Sequence, residues 1–549
     1  MAGTPRSNTK RASLSGHEGH EWWQSAVLYE IYPRSFKDTT GDGVGDLQGI
    51  VEKLDYLSDT LGVDAIWICP FYPSPMADFG YDVASYRDVD PMFGDLETFD
   101  RLVARAHESG LKVIIDFVPN HTSDQHPWFI ESRSSRDNPR REWYVWRDPK
   151  PDGSPPNNWL SVFGGSAWEL DEHTGQYYLH SFLKEQPDLD WRNPAVKEAM
   201  FDNMRFWLDR GVDGFRVDAV LFSMKDPDER VNPPNTEGLQ QLHKPLGAYG
   251  AQRHVHDQGH PDIHGVFRQM REVLEEYEPP RTSLAELHIF DPKQLAAYYG
   301  GDLDELHMPT NFGLLKAPWS AAGIRGAVEG LEAAIPKPGA LNWVLGSHDD
   351  RRLATRLGED ASRQAAVLLL TLRGSPTLYY GDELGMREAE IPPGRQQDPW
   401  GMAEPELGRD GCRTPMQWSA DPGAGFTDSP EPWLPVGRDY AERNVEAQLA
   451  DPDSLLNLYR RLLQLRRGSA ALRRGAYRTV GGVPRDCYAF ARSESLERVF
   501  VAINFSAAPL CFEATGVSGR IAVSTHRGNE GTEVSGSLRL QPHEGVVLV

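Results

Sequence analysis

The sequence predicts a (β/α)8 TIM barrel with an inserted subdomain after its third strand and a C-terminal antiparallel β-sandwich domain. Three observations lead to this fold class. Short apolar runs of strand length alternate with amphipathic stretches of helix length, as in parallel βαβ units. Eight such strand candidates occur, which is the number that closes a barrel. The last part of the chain changes to short alternating strands separated by Gly and Ser.

The eight strand candidates lie between residues 27 and 380, with the longest interval between the third and the fourth. The candidate at 306–308 is the weakest of them, because its apolar run is the shortest. Two amphipathic stretches, 47–61 and 96–109, end before Gly62 and Gly110, as helices with glycine C-caps do. The strand candidates are residues 27–31, 65–68, 113–116, 214–218, 283–286, 306–308, 341–345 and 377–380.

The connections between these elements predict the domain organisation. The barrel takes residues 22–121 and 191–467, and the stretch 122–190, rich in Trp, Pro, Gly and Asn, is expected to form a B subdomain over the barrel mouth. A polar excursion at 387–451 follows the last strand and is too long for an ordinary connection, so it should border the functional site. Residues 468–549 are predicted to be the C-terminal β domain.

Size, composition and charge are those of a globular protein of several domains. At about 100–200 residues per domain, a chain of this length predicts three to five structural units. Apolar residues make up 39% of the 549 residues and charged residues 25%, which excludes disordered and fibrous classes. The net charge of −23 repels phosphate backbones and anionic lipid. We therefore expect neither nucleic acid nor a membrane as a partner.

No segment of the sequence indicates membrane insertion or export. The longest apolar run, near residues 365–370, is far shorter than the roughly 20 residues that span a bilayer. Residues 1–21 are basic but lack the apolar segment of a signal peptide, so they are predicted to be a disordered tail. The four cysteines are too few and too scattered for a disulfide framework. A cytoplasmic protein is expected.

Polar residues at the ends of four barrel strands are the candidates for chemistry, because catalytic groups of such barrels lie at the carboxyl ends of strands. The third strand runs into residues 116–121, the fourth ends at 218, the fifth ends at 286, and the seventh runs into 347–350. These four segments, in this order and spacing, resemble the conserved regions of the α-amylase superfamily of glycoside hydrolases. The resemblance covers the chain from residue 22 to the C-terminus.

Further segments resemble one branch of that superfamily, which contains α-glucosidases and oligo-1,6-glucosidases. They are residues 80–82, 186–189 and 408–418. The resemblance implies a short oligosaccharide substrate and no organic cofactor.

The resemblance implies that three carboxylates carry the reaction. Asp218 matches the nucleophile, Glu286 the general acid/base and Asp349 the third carboxylate, which contacts the sugar hydroxyls. Cleavage with retention needs two carboxyl groups about 5–5.5 Å apart on opposite sides of the bond. Arg216 lies two residues before Asp218 on the same strand face and is expected to keep it ionised. Burial or neighbouring carboxylates should raise the pKa of Glu286, so that it is protonated near neutral pH.

Several other residues match positions that hold the glucose. His121 and His348 are expected to donate to its hydroxyls and Asp82 to grip its far edge, while Arg352 or Arg409 would close one end of the cleft. Arg409 and Arg413 could instead pin the excursion. Aromatic rings at a barrel mouth are core residues as often as sugar platforms. The residues with this open alternative are Tyr81, Phe163 and Phe182.

The loop at 38–46 has the oxygen spacing of a Ca²⁺ loop, with Gly at the sixth position. Position 12 is Gly49, which rules out an EF-hand, and the loop resembles instead the one after the first strand that binds Ca²⁺ or Mg²⁺ in this branch. A structural role is implied, and the alternative is a solvated acidic turn. The predicted ligands are the side chains of Asp38, Thr40, Asp42 and Asp46 and the carbonyl of Val44.

Two positions depart from the pattern of the branch. Ser347 replaces the Asn that usually precedes the His-Asp pair, which changes hydrogen bonding but removes no catalytic group. Ala219 follows the predicted nucleophile, where Val tends to accompany α-1,6 specificity in related enzymes and smaller residues α-1,4 specificity.

The sequence therefore predicts a retaining, exo-acting α-glucosidase that releases glucose from maltose and short oligosaccharides, with transglucosylation as a side activity. The alternatives are an oligo-1,6-glucosidase, or a relative of the trehalose synthase, sucrose isomerase or sucrose phosphorylase type. A non-catalytic scaffold is disfavoured because all three carboxylates are present. An endo-acting amylase is disfavoured because the subdomain and the excursion should block the cleft. Monomer and homodimer both remain open.

Overall fold

The structure, a computed structural model, describes residues 20–238 and 247–549. Of the predicted tail at 1–21, residues 1–19 lie outside the described residues. Within the described ranges no helix has both the length and the apolar character needed to cross a bilayer.

The strands follow the predicted alternation with helices in the first two thirds of the chain. They are, in chain order, β1 Leu28–Ile31, β2 Ala65–Ile68, β3 Lys112–Phe117, β4 Trp146–Arg147, β5 Trp168–Asp171, β6 Gln176–Leu179, β7 Gly214–Val217, β8 Thr282–Leu287, β9 Met308–Asn311, β10 Asn342–Val344, β11 Ser375–Tyr379, β12 Ala476–Thr479, β13 Cys487–Glu494, β14 Glu497–Asn504, β15 Leu510–Ser524, β16 Glu533–Leu540 and β17 Gly545–Leu548.

The α-helices lie mainly between the barrel strands and after the last of them. They are α1 Pro33–Phe36, α2 Leu47–Asp55, α3 Leu96–Glu108, α4 Pro127–Ser134, α5 Pro194–Asp209, α6 Ile263–Glu275, α7 Pro292–Ala296, α8 Gly313–Lys316, α9 Ala321–Ala334, α10 Leu353–Leu357, α11 Glu359–Thr371, α12 Pro399–Ala403, α13 Val445–Ala450, α14 Leu455–Gly468 and α15 Ala470–Arg474.

Eight parallel strands close into a barrel in the order β1-β11-β10-β9-β8-β7-β3-β2. The predicted fold class is confirmed. Each of the eight strand candidates overlaps one barrel strand, but 306–308 overlaps β9 only at Met308. Thr310 and Asn311, which lie beyond the predicted candidate, are buried in β9, where the closed sheet pairs them with β8 and β10.

The two predicted helices are confirmed, with one irregularity. The stretch 47–61 begins as α2, with the Asp46 carboxylate accepting a hydrogen bond from the Gly49 N–H, and ends as a π-helical segment, Tyr56–Leu61. Gly62 ends it with φ of 96°, a conformation that a Cβ disfavours. Helix α3 ends before Gly110, which also has positive φ.

Two antiparallel sheets complete the fold. Strands β4, β6 and β5 form a small sheet in the segment between β3 and β7. The C-terminal strands pair in the order β12-β13-β14-β17-β15-β16, which confirms the predicted antiparallel β domain. Because all barrel strands are parallel, their carboxyl ends meet at one end of the barrel.

Candidate active site

A cavity of about 680 Å³ lies at the carboxyl ends of the barrel strands. The barrel, the inserted segment and the excursion after β11 all contribute to its wall. The lining residues are Asp78, Tyr81, His121, Val162, Phe163, Phe182, Gln186, Asp218, Ala219, Phe222, Glu286, His288, Asp349, Trp400 and Arg409. The three predicted catalytic carboxylates are therefore brought together.

Arg216 connects the predicted nucleophile and acid/base. Its Nη1 lies 2.5 Å from Asp218 Oδ1 and 2.9 Å from Asp116 Oδ1, and its Nη2 lies 2.9 Å from Glu286 Oε2. Arg216 is buried on β7 beside the cavity and does not line it. One guanidinium thus faces three carboxylates, and Asp218 and Glu286 contact its two neighbouring terminal nitrogens.

This shared arginine reverses the expected pKa of the acid/base. Burial by itself would raise the pKa of Glu286, but the charge of Arg216 and the contact with His288 outweigh burial and lower it. Burial raises the pKa of Asp218 well above its usual range, and the charges of Glu286 and Asp116 add to the effect against Arg216. The expected rise in the pKa of Glu286 is therefore wrong for this conformation, because Arg216 reaches Glu286 as well as Asp218.

The third carboxylate is held by two arginines of the excursion. Asp349 Oδ1 lies 3.1 Å from Arg409 Nη1 and 2.8 Å from Arg413 Nη2. Arg413 also donates from Nε to the carbonyl of His348 at 2.8 Å. Arg409 lines the cavity, whereas Arg413 lies behind Asp349. The two arginines therefore differ: Arg413 links the excursion to Asp349, and Arg409 also faces the cavity.

Asp82 does not line the cavity, contrary to the prediction, and Asp78 does. The Asp82 carboxylate accepts hydrogen bonds from Ser74 Oγ and from the N–H groups of Ala77 and Asp78, at 2.8 to 3.0 Å. The positive φ values of Phe79 and Gly80 turn the chain between the two aspartates. Asp78 consequently faces the cavity and Asp82 closes the turn behind it.

Asp78 also pairs with Arg409 at the end of the cavity. Arg409 Nη2 lies 2.9 Å from Asp78 Oδ1 and 2.7 Å from Asp398 Oδ1. All three side chains are buried, and the charges of Asp398 and Asp78 help to raise the pKa of Arg409 against burial. This ion-pair network contributes Asp78 and Arg409 to the cavity wall beside Asp349.

Arg352, the other arginine predicted to close the cleft, does not line the cavity. It is buried, donates from Nη1 to the Tyr380 carbonyl at 2.5 Å and lies over the rings of Tyr379 and Tyr380. The prediction is wrong for Arg352, because this side chain packs on the rings of Tyr379, which ends β11, and Tyr380, which follows it.

The two predicted sugar-binding histidines lie on either side of Tyr81. His121 lines the cavity, and its Nε2 lies 3.1 Å from the Tyr81 carbonyl and 3.1 Å from Gln186 Nε2. Burial lowers the pKa of His121 to about 4, so the ring is neutral at pH 7. Its role in holding sugar hydroxyls stays a prediction.

His348 lies deeper, under the cavity floor. Its Nε2 lies 2.9 Å from the Tyr81 hydroxyl, and its Nδ1 lies 2.5 Å from Glu30 Oε1. The ring stacks between Tyr81 and Tyr32. His348 lines a smaller cavity below the main one, together with Glu286 and Asp349. Its contact with sugar stays a prediction.

Aromatic and aliphatic side chains form the wall on the side of the inserted segment. Phe163 packs on Trp400 with ring centroids 4.8 Å apart, and Phe182 packs on Phe222 at 4.9 Å. Phe163, Phe182 and Tyr81 do line the cavity, as the sugar-platform alternative requires. Stacking on sugar stays a prediction.

Some cavity residues have no role in the sequence prediction. Phe222 lies four residues after Asp218. His288 follows Glu286 by two residues, and residues at this spacing along a strand direct their side chains to the same face of the sheet. Trp400 belongs to the excursion that was expected to border the site. The residues without a predicted role are Asp78, Val162, Gln186, Phe222, His288 and Trp400.

The loop at 38–46 is organised by its own backbone. Asp38 accepts hydrogen bonds from the Thr427 hydroxyl and from the N–H groups of Thr40, Gly41 and Gly43. Against the effect of burial, these bonds lower the pKa of Asp38, that of Thr427 most. Asp46 accepts the N–H groups of Thr39 and Gly49.

Asp42 stands apart from the other two aspartates of this loop. It is exposed, and its Oδ1 accepts a hydrogen bond from the Val44 N–H at 2.8 Å. Among the described residues the three aspartates do not form a group whose ligand atoms all lie within 4.8 Å of one another. Asp42 would have to turn toward Asp38 for a cation to be bound. The Ca²⁺ or Mg²⁺ site, with Thr40 and the Val44 carbonyl as further ligands, stays a prediction.

The closed barrel and its carboxylate-lined cavity define a glycoside hydrolase. The chain belongs to the α-amylase family, since the model of the α-amylase catalytic domain matches residues 30–475. The mechanism general to this family proceeds with retention of configuration.

Two bacterial glucosidases are similar to this protein over most of the chain. A probable α-glucosidase of Rhizobium meliloti is 45% identical over 502 residues, which is 88% of this chain and 90% of that protein. An oligo-1,6-glucosidase of Heyndrickxia coagulans is 41% identical over 535 residues, covering 90% and 94% of the two chains.

Solved structures of the same architecture include two glucosyl-transferring enzymes. The α-glucosyl transfer enzyme XgtA superposes with a TM-score of 0.90 at 45% identity, over 96% of this chain and 99% of that one. The trehalulose synthase MutB of Pseudomonas mesoacidophila superposes with a TM-score of 0.88 at 36% identity, over 96% and 99%.

Proposed function

We propose that the protein is an exo-acting α-glucosidase that releases the non-reducing glucose of maltose and short α-1,4-linked oligosaccharides. The observation that carries this proposal is the ion-pair network of Arg409 with Asp78, Asp398 and Asp349 in the cavity wall, next to the predicted catalytic carboxylates. We infer that this network closes that end of the cavity. A cavity closed beside its catalytic groups admits the end of a sugar chain and not its middle.

In the proposed reaction Asp218 is the nucleophile and Glu286 the acid/base, so the proton of this pair must lie on Glu286 when the sugar is bound, the reverse of what the two pKa shifts favour in the sugar-free cavity. Asp218 attacks the anomeric carbon while Glu286 gives a proton to the glycosidic oxygen, and a covalent glucosyl-Asp218 forms. Water or a sugar hydroxyl then attacks this carbon, losing its proton to Glu286. Arg216 supports both steps, because it contacts both carboxylates and balances the charge that moves between them.

Glucosyl transfer is part of the proposal. The wall formed by Phe163, Phe182, Phe222 and Trp400 offers apolar faces on which an acceptor sugar can stack, and water binds such faces poorly. A second function, isomerisation of a disaccharide by the same intermediate, is favoured by the likeness to a trehalulose synthase. Water and sugar compete for one intermediate in both functions.

The α-1,4 preference rests on Ala219, which lines the cavity directly after the nucleophile. Its φ is 45°, and its N–H lies 3.4 Å from Glu286 Oε2, so the residue stands directly beside the predicted acid/base. The variant Ala219→Val fills this space, and we expect it to lower the ratio of maltose to isomaltose turnover. An unchanged ratio would contradict the α-1,4 assignment to this position.

The deciding experiment is time-resolved product analysis with maltose, isomaltose, trehalose and sucrose supplied separately in phosphate-free buffer. Glucose from maltose with a transient trisaccharide, and little glucose from isomaltose, is the expected result. Dominant turnover of isomaltose would make the protein an oligo-1,6-glucosidase. Conversion of sucrose or maltose into an isomer would establish the second function.

We also propose a cytoplasmic location. It is supported by the four cysteines, all of which are free thiols, three of them buried. Thiols without disulfides are the usual state in a reducing compartment.

A further inference from the structure

His288 contacts the predicted acid/base from the cavity side. It follows β8 directly, and its Nε2 lies 3.3 Å from Glu286 Oε1. Its ring stacks on Phe312 with centroids 4.9 Å apart and planes inclined by 23°. The imidazole is thus held in one orientation, with Nε2 toward the carboxyl group.

The two oxygens of Glu286 have different neighbours. Oε2 lies 2.9 Å from Arg216 Nη2 and accepts a long hydrogen bond of 3.4 Å from the Ala219 N–H. Neither of these groups can accept a proton. The proton that Glu286 carries as an acid must therefore reside on Oε1, which is the oxygen that faces His288.

We propose that His288 is a positioning residue that shares the proton of the general acid with Glu286. This inference rests on the proposed role of Glu286. In the acid state the pair holds one proton, either on Glu286 Oε1 with Nε2 accepting, or on Nε2 with the carboxylate accepting. The pair, and not Glu286 alone, then sets the pH range in which the acid is available.

The proton count balances through both steps. In the first step the shared proton passes to the glycosidic oxygen as its bond to the anomeric carbon breaks and the bond to Asp218 forms. In the second step the attacking water or sugar hydroxyl returns a proton to Glu286 Oε1 as its oxygen bonds to the anomeric carbon and Asp218 leaves. His288 ends the cycle in its starting state.

Other charged groups face Glu286 from the elements around it. They are Arg216 on β7, Asp218 after the same strand and Asp349 after β10, with Asp116 acting through Arg216. These groups remain in place when His288 is replaced, so a change of the pH profile in a His288 variant reports on His288.

The test is the pH dependence of kcat/KM for maltose in the His288→Gln variant. Glutamine can still hydrogen-bond to Oε1 but does not titrate. A positively charged His288 favours the ionised carboxylate, as the lowered pKa of Glu286 reflects, but a pair that shares one proton loses that last proton at higher pH than Glu286 alone would. If the proton is shared, loss of His288 therefore moves the basic limb to lower pH, and we expect a shift of at least about 0.5 pH unit.

Two other outcomes overturn the proposal. A basic limb that does not move assigns His288 a purely structural role. A limb that moves to higher pH means that His288 acts only as a positive charge that favours the ionised carboxylate.

Two further variants keep the experiment decisive. His288→Phe retains the stack on Phe312 without a nitrogen, and it must show the same downward shift if His288→Gln does not fold. The control is His264→Gln, which changes a histidine 2.6 Å from Glu305 Oε2, outside the cavity, and must leave the limb in place.

The Glu286→Gln variant separates this proposal from the proposed function. Retention of full maltose hydrolysis by that variant would remove the acid/base role itself. Loss of hydrolysis, together with an unmoved limb in His288→Gln, would overturn the shared proton alone.

Discussion

Arg409 Nη1 lies 3.1 Å from Asp349 Oδ1. This contact connects the excursion after β11, the last barrel strand, to a carboxylate that follows β10. The two residues are 60 positions apart in the chain. The excursion is therefore part of the cavity wall, and the proposal of an enzyme that acts on chain ends rests on the inference that it closes this end of the cavity.

Replacing the predicted nucleophile should abolish turnover without unfolding the protein. Asp218→Asn is isosteric and removes only the nucleophilic oxygen charge, so we expect kcat for maltose to fall by at least about 10³-fold. Circular dichroism should show an unchanged fold. Near-normal kcat in this variant would contradict the double-displacement role of Asp218.

The exchange of roles between Asp78 and Asp82 can be tested with a matched pair of variants. Asp78 lines the cavity and pairs with Arg409, so Asp78→Asn should lower kcat/KM by roughly 10²-fold, as loss of a charged sugar-binding group does.

Asp82 accepts three hydrogen bonds inside its turn, so Asp82→Asn should cost about 1–3 kcal/mol in the free energy of unfolding. Its effect on kcat/KM should be the smaller of the two. Kinetics and urea unfolding of both variants measure this, and a larger kinetic defect in Asp82→Asn would restore the original assignment.

The free energy of unfolding should fall as pH rises from about 4 to 7, because the buried carboxyl group of Asp382 loses its proton. Burial raises the pKa of Asp382 from 3.8 to about 7. The folded state therefore holds this proton at pH values where the unfolded chain has lost it, and the free energy of unfolding contributed by the group declines between about pH 4 and pH 7.

The decline amounts to at most about 4 kcal/mol, since one pKa unit is about 1.4 kcal/mol. Asp382→Asn keeps the shape of the side chain and an oxygen that accepts a hydrogen bond from the Tyr379 N–H. The variant should therefore lose this decline of the free energy of unfolding with pH. The free energy of unfolding is measured by urea unfolding at pH 5 and pH 8. An equal change of this free energy in the variant and the parent protein would contradict the prediction.

Metal binding at the 38–46 loop has a direct thermal test. If the loop binds Ca²⁺ or Mg²⁺, the cation at 100 times its Kd should add about 2.7 kcal/mol to the free energy of unfolding, and EDTA should reverse the rise in Tm. Asp42→Asn removes the exposed carboxylate that has to turn inward and should abolish the rise. A Tm that neither cation changes would leave the loop as a solvated acidic turn.

The sequence by itself determined the barrel, its strands and the segments that carry the carboxylates. Apolar periodicity is local, and the carboxyl ends of parallel strands must meet once the barrel closes, so Asp218, Glu286 and Asp349 could be placed together without a structure. The weak strand β9 marks the limit of such patterns, because only closure of the sheet explains why Thr310 is buried.

Only the tertiary structure decided which polar side chains face the cavity. The turn with positive φ at Phe79 and Gly80 directs Asp78 inward and Asp82 away, and no spacing rule distinguishes these two aspartates. The reach of Arg216 to Glu286, and of Arg409 to Asp349, joins residues from different elements. Contacts of this kind depend on the packing of distant segments, which local sequence patterns do not encode.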